Sequence, residues 1–206
     1  MRQQEIWEQF QKEIDERQER ARQLISEMHQ KNGVAYEKNF SEALVRAFTK
    51  FSEHQQNDAE KKMKYIQVNC LRVALETETY EYLIRIMDEY GYMDVKMVEI
   101  YYIPQYLPQL IAADKEYFTK LIMSKVIRAK RYEIKDFLRE YLWNTYIKHA
   151  PPEIAKTLPQ LDMVNGYDRI VKTDEVEASY GEIFEKYDTY WLFTSLKKMK
   201  YNSGVR

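Results

Sequence analysis

The sequence predicts a mainly α-helical, essentially all-α fold, an irregular multi-helix bundle with a long N-terminal helix and a long central helix over residues 113–148. Three observations predict it. The 206 residues include only five glycines and five prolines, so residues that interrupt helices are few. The N-terminal segment is rich in Lys, Glu and Gln, and long stretches repeat apolar residues at the three- and four-residue spacing of a helix face. The prediction allows one short β-hairpin or ribbon within residues 64–103.

The first 31 residues are predicted to form an N-terminal helical arm. Apolar residues recur at helical spacing at both ends of this segment, whereas the stretch 16–22 between them is charged. We therefore expect an arm that packs at two places or pairs with another chain. Asn32 and Gly33 tolerate the left-handed conformation that ends helices, so the arm is predicted to stop there. Residues 39–206 are then predicted to form a single helical domain.

The middle of the chain contains one ambiguous segment. Ser41 is a plausible N-cap for a second helix that ends in the polar run 54–57. Within 64–88, alternating apolar residues favour a strand while the stripe they share with Met63 favours a helix, and we predict helix. Gly91, Pro104 and Pro108 make residues 91–112 a bent, tyrosine-rich connector, with a short strand around 98–103.

The C-terminal half is predicted to contain the long central helix and one more. The apolar face of the central helix shifts around its axis near residues 129–131, so we expect a kink there. Pro151 and Pro152 end this element and begin a polar linker over 151–172. Asp174, with Glu177 three residues later, forms the pattern of a capping box and predicts a last helix.

Composition excludes several classes of protein. A formal net charge of −1 argues against a surface wholly devoted to a polyanion, which needs a concentrated positive field. The single Cys70 excludes an intramolecular disulfide and favours a reducing compartment. No stretch approaches the 18 uncharged apolar residues that indicate a membrane helix. We therefore predict a soluble cytoplasmic protein with no membrane association.

Motifs for catalysis, metals and cofactors are absent from the sequence. The three histidines, His29, His54 and His149, lack the spacing of metal-binding pairs, so we predict no metal site. Glycine-rich phosphate loops and nucleophile signatures are also missing, and we predict no cofactor and no catalytic residue. The enzyme alternative would place Asp88 or Asp94 with a neighbouring tyrosine in a pocket near residues 88–106.

Two surfaces are candidates for binding another macromolecule. Aromatic and large apolar residues are enriched at the centre of protein interfaces. The first candidate surface combines one face of the N-terminal helix with the tyrosines of the connector, as follows: Trp7, Phe10, Leu24, Met28, Tyr90, Tyr92, Tyr101, Tyr102 and Tyr106. The second consists of Arg128, Arg131 and Lys135 on the central helix, which could hold nucleic acid. Nearby acids favour a solvated helix face instead.

These observations together favour a non-enzymatic cytoplasmic protein that acts through protein–protein interaction. A protein partner or self-association is expected. Nucleic-acid binding through the basic face and catalysis near residues 88–106 are the alternatives.

Overall fold

A mixed β-sheet packs against helices in this protein, so the prediction of a mainly α-helical bundle is wrong. The computed structural model describes the backbone of residues 2–182, 188–194 and 198–200, and the side chains of residues 4–182. Four strands form the body of the sheet in the order β3-β2-β1-β4. Their bounds are Met63–Cys70 for β1, Tyr82–Met87 for β2, Val98–Tyr102 for β3 and Lys172–Glu182 for β4.

Strand pairing explains why the helix prediction for 64–88 is wrong. β1 pairs antiparallel with β2, and β2 with β3, while β1 pairs parallel with β4. Ile66, Val68 and Cys70 are all buried on β1, and Gln67 and Asn69 between them are buried too. A central strand covered on both faces shows no polar alternation, which is why its sequence also fits a helical stripe. The short strand predicted around 98–103 is confirmed by β3.

The last predicted helix is replaced by strands. Val176, Ala178 and Tyr180 are buried on β4, at the two-residue spacing of a strand. A capping box is a local signal, whereas the pairing of β4 with β1 depends on residues about a hundred positions earlier. Two further strands extend the sheet beyond β4: β5 (Asp188–Thr194) pairs antiparallel with β4, and β6 (Lys198–Lys200) pairs antiparallel with β5. Residues 183–187 and 195–197 of the predicted helix lie outside the described residues.

The N-terminal helix is much longer than predicted. After α1 (Arg2–Gln9), α2 runs without interruption from Gln11 to Asn57, about 70 Å at ~1.5 Å per residue. The predicted stop at Asn32 and Gly33 and the predicted cap at Ser41 are therefore wrong, while the end in the polar run 54–57 is confirmed. A mid-helix glycine costs about 1 kcal/mol. Burial of the helix on both sides of residue 33 outweighs this cost.

One hydrophobic core joins the proposed arm to the rest of the chain. Ile6, Phe10 and Ile14 belong to the same buried cluster as Phe40 and Phe48 of the second half of α2. The first residues of the N-terminal segment thus pack against the core of the same chain, and α2 extends from there across the molecule.

The predicted central helix is divided where its apolar face shifts. The segments are α4 (Leu107–Lys125), α5 (Arg131–Leu142) and a π-helix over Trp143–Ile147. Arg128, between α4 and α5, adopts a left-handed φ of 57°, which confirms the break expected near residue 129. Short helices complete the fold, namely α3 (Arg72–Glu76), α6 (Pro152–Thr157) and 3-10 turns over Gly91–Met93 and Leu158–Met163. Of the helices within residues 2–182, none has both the length and the apolar content that crossing a membrane requires.

Candidate functional site

The predicted contact residues of the N-terminal helix lie against the chain's own core. Phe10 is buried, and the ring of Trp7 lies 5.3 Å from the ring of Phe137 on α5. Leu24 and Met28 are partly buried against the same core. Binding of a partner by these four residues stays a prediction, but each of them already has an intramolecular contact.

The connector tyrosines divide into exposed and buried residues. Tyr90 and Tyr101 are 64% and 53% exposed. The hydroxyl of Tyr92 donates a hydrogen bond to Gln67 over 2.8 Å. Tyr102 and Tyr106 are buried. Only the first two therefore present most of their rings to a partner.

The carboxylates of the predicted enzyme pocket are held by a buried lysine. The ammonium of Lys61 lies 3.0 Å from Oδ2 of Asp88 and 2.6 Å from Oδ1 of Asp94. The same carboxylates accept backbone hydrogen bonds, Asp88 from Tyr90 and Asp94 from Lys96. This arrangement orders the turn between β2 and β3, and its acidic oxygens are occupied by groups of the chain itself.

The connector instead brings two tyrosines to a carboxylate that sequence reasoning did not select. Glu153, only 1% exposed, accepts hydrogen bonds from the hydroxyls of Tyr102 at 2.9 Å and Tyr106 at 3.1 Å. Nε2 of His29 on α2 lies 3.1 Å from Oε2, without the alignment of a hydrogen bond. Burial, followed by the Glu153 charge, raises the pKa of both tyrosines far above its usual value near 10. These four residues are called the Glu153 cluster.

A second cluster of the same construction surrounds Asp114 of α4. The hydroxyls of Tyr141 and Tyr146 donate to its Oδ2 over 2.5 Å and 2.8 Å, and Nη1 of Arg17 lies 3.3 Å from its Oδ1. The Arg17 guanidinium also lies 3.7 Å from the centre of the Tyr117 ring, a cation–π contact. Burial and the Asp114 carboxylate raise the pKa of Tyr141 and Tyr146. Asp114 therefore anchors α2 to α4.

An apolar groove lies between α4 and α5, beside α3, and encloses about 650 Å³. We call it the α4–α5 groove. The apolar residues that line it are Leu75, Met123, Ala129, Ile134, Leu138 and Leu142, and the charged residues are Glu76, Glu78, Lys115, Arg131, Lys135 and Arg139.

Two cations of this groove have no ion-pair partner among residues 4–182. Both acids of the groove are paired, Glu78 with Lys115 at 2.6 Å and Glu76 with Arg139 at 3.4 Å. Arg131 and Lys135 have no such pair among the described side chains. The structure thus places two of the three nucleic-acid candidates beside an apolar surface, while Arg128 lies in the turn before α5.

A separate cleft of about 610 Å³ lies between α2, the π-helix and the loop before α6. We call it the His29 cleft. Its polar and charged lining consists of Arg22, Ser26, His29, Gln30, Glu37, Thr145, His149 and Lys156.

The histidines and the cysteine are dispersed through the fold. His54 forms a hydrogen bond with the carbonyl of Lys96, whereas His29 and His149 line the His29 cleft. Within the part of the chain that the structure describes, no three His, Cys, Asp or Glu side chains are grouped as metal ligands. Absence of a bound metal stays a prediction. Burial, reinforced by Glu182, raises the pKa of the Cys70 thiol to about 12, so the thiol is a poor nucleophile at neutral pH.

Comparison with known proteins finds no matching family model, no matching curated protein and no matching solved structure. Function is therefore inferred from the two cavities and their charges.

Proposed function

We propose that this chain binds a partner protein through the α4–α5 groove, and that the bound segment is an amphipathic helix carrying acidic residues. The observation that carries the proposal is the apolar groove with Arg131 and Lys135 unpaired at its edge within the described chain. A groove between two helices is a common receptor for the apolar face of a third helix.

The exposed apolar residues support a macromolecular ligand. Met123 lines the groove and is 68% exposed, and Ile127 is exposed in the following turn. Methionine is flexible and polarisable, so it adapts to the irregular surface of a bound helix. Burying such side chains contributes roughly 25 cal/mol per Å² of apolar area removed from water.

Charge determines which helix fits best. Because both acids of the groove are already paired, Arg131 and Lys135 give it a positive edge. Carboxylates on the flank of a bound helix would pair with these two cations, which favours acidic partners and disfavours basic ones.

The same charges argue against nucleic acid at this surface. A phosphate backbone needs a continuous basic stripe. Here Glu76, Glu78 and Asp136 interrupt the cations, and the floor between them is apolar. This surface therefore favours binding of a protein partner over binding of nucleic acid.

The proposal can be tested by selecting binders from a library of helix-forming peptides whose surface residues are randomised. We expect enrichment of peptides that combine an apolar stripe with Asp or Glu beside it. Their affinity should fall at least tenfold for Met123→Asp and for the double variant Arg131→Glu with Lys135→Glu. Met93→Asp is the matched control, because Met93 is 80% exposed and lies outside the groove.

Two results would contradict the proposal. One is enrichment of peptides without acidic residues. The other is binding that Met123→Asp and Met93→Asp weaken equally. A parent protein that self-associates, with dimerisation abolished by Met123→Asp, would instead identify a second copy of the chain as the occupant.

A further inference from the structure

The His29 cleft continues into a smaller cavity. A neighbouring cavity of about 180 Å³ shares Arg22, Thr145 and His149 with it. These three residues stand at the junction of the two spaces. A small molecule in the larger space would therefore meet a cation from α2, a hydroxyl from the π-helix and an imidazole from the loop before α6.

The cations that line the cleft outnumber the acids that line it. Its lining includes Arg22 and Lys156 but only one acid, Glu37, and the Lys156 ammonium lies 2.6 Å from that acid. The nearest acid to Arg22 is Glu19 at 3.6 Å, and both side chains are largely exposed, so this pair is weak. The Nε of Arg22 also donates a hydrogen bond to the carbonyl of Gln18 over 3.3 Å, which leaves the terminal nitrogens of the guanidinium to bind an anion in the cleft.

Glu153, the other acid near the cleft, does not line it. It is buried behind His29, and its two oxygens accept the hydroxyls of Tyr102 and Tyr106. The His29 ring lies between Tyr36 and Tyr106, with ring centres 5.0 Å and 5.3 Å away. The ring is thus fixed at the wall of the cleft by groups that a ligand does not need to displace.

Another part of the cleft wall is apolar. It includes Leu107, Tyr146, Ala150 and Pro151. Two sheet tyrosines fix the π-helix beneath this wall, because Tyr82 donates to the carbonyl of Tyr146 and Tyr180 to that of Ile147. Single π-helical turns occur frequently at functional sites.

We propose that the His29 cleft binds a small organic anion, a carboxylate or phosphate monoester carried on an apolar or aromatic body. Arg22 and His149 bind the anionic group. The body of the ligand packs against Tyr106 and Tyr146. This site is independent of the α4–α5 groove, and none of the groove residues lines it.

The test uses the full chain and four probes of similar size: benzoate, phenyl phosphate, benzyl alcohol and benzylamine. Binding is measured by isothermal titration calorimetry and by amide chemical shifts. We expect one or both anions to bind at least tenfold more tightly than the neutral and cationic probes. Comparison of benzoate with phenyl phosphate separates carboxylate from phosphate ligands.

Variants locate the binding in the cleft. Arg22→Gln with His149→Gln should weaken anion binding at least tenfold, because charge-assisted hydrogen bonds are lost. Both side chains are exposed, so far-UV circular dichroism should stay unchanged. Arg20→Gln, an exposed arginine of α2 outside the cleft, should bind as the parent does.

Anions that bind no more tightly than benzyl alcohol would overturn the proposal, as would a double variant that binds like the parent. Met123→Asp should leave anion binding intact, which keeps this outcome separate from that of the groove.

Discussion

The hydroxyl of Tyr146 donates a hydrogen bond to the buried carboxylate of Asp114, 32 residues earlier in the chain, over 2.8 Å. The Tyr141 hydroxyl donates to the same oxygen, and Arg17 of the long helix completes the set. A buried carboxylate is costly unless it is paired and hydrogen-bonded. Here the two hydroxyls provide the hydrogen bonds, and the Arg17 guanidinium provides the opposite charge.

Glu153 repeats this construction with Tyr102, Tyr106 and His29. In both clusters the cationic or imidazole group comes from α2, and the tyrosines come from elements of the rest of the fold. The high tyrosine content is therefore partly explained by buried carboxylates that need neutral donors. These clusters tie the 47-residue α2 to the rest of the chain.

Replacing Asp114 by Asn should destabilise the fold by about 1–3 kcal/mol. The substitution keeps the size of the side chain but leaves Arg17 without its charge partner and turns an acceptor into a mixed donor and acceptor. The free energy of unfolding, measured by urea titration with circular dichroism, checks the value. Asp15→Asn, at an exposed position of α2, should change it by less than about 0.5 kcal/mol. Equal effects of the two substitutions would contradict the assigned role of Asp114.

Lys61→Met should lower the free energy of unfolding further, by about 3–5 kcal/mol, because it leaves Asp88 and Asp94 buried without their cation. Lys62→Met is the matched control, since Lys62 is the adjacent exposed lysine. Thermal and urea unfolding of the two variants measure the difference. A stable Lys61→Met protein whose midpoint equals that of Lys62→Met would show that the two carboxylates do not depend on Lys61.

Local patterns in the sequence predicted those elements that local interactions decide. The break near residue 129, the strand at β3 and the end of α2 are such elements. The identity of β1 and β4 was missed, because Val68 is buried on β1 by pairing with Ile84 and Tyr180, far away in the sequence. Nothing in the neighbourhood of Val68 distinguishes a fully covered strand from a helix.

The buried pairings of Asp94 and of Glu153 were missed for the same reason. Lys61 and Asp94 are 33 residues apart, and His29 and Glu153 are separated by more than a hundred residues. No motif of short spacing connects them. The one available signal was the basic face of the central helix, and Arg131 and Lys135 do line a cavity there. The apolar lining of the α4–α5 groove includes Leu75 of α3. The apolar periodicity of a single segment cannot predict that Leu75 lies next to α5.

We expect ionisation of the buried tyrosines to cause a marked loss of stability at high pH. The pKa of Tyr102, Tyr106, Tyr141 and Tyr146 is raised in the folded state, first by burial and then by the neighbouring carboxylate. In the unfolded chain these phenols ionise near pH 10. The stabilisation that these tyrosines give the folded state is therefore fully present below about pH 10. Above that pH the free energy of unfolding falls by about 1.4 kcal/mol per pH unit for each tyrosine.

Parallel measurement of tyrosinate absorbance and far-UV circular dichroism checks this dependence. We expect a fraction of the phenols to ionise only together with unfolding. Tyr102→Phe should reduce the steepness of the pH dependence, since it keeps the ring and removes one ionisable group. If all the tyrosines ionised near pH 10 while the protein kept its native circular dichroism spectrum, the buried tyrosines would not be the cause of the loss of stability at high pH.

Gly33 provides a direct test of the continuous helix α2. It lies in mid-helix, and a Cβ added there would meet only Oε1 of Glu37 and Nδ1 of His29, each at 3.8 Å, an ordinary van der Waals distance. Alanine loses less backbone entropy on folding than glycine, so Gly33→Ala should stabilise the protein by about 0.5–1 kcal/mol. Urea unfolding measures the change.

Gly166→Ala should act in the opposite direction. The φ of Gly166 is 90°, a conformation that alanine adopts only with strain, so this substitution should destabilise by about 1 kcal/mol or more. If a helix ended at Asn32 and Gly33 with the glycine in the left-handed conformation, both substitutions would be destabilising. Opposite signs therefore support an uninterrupted α2, whereas loss of stability in both variants would support the helix stop that the sequence predicts.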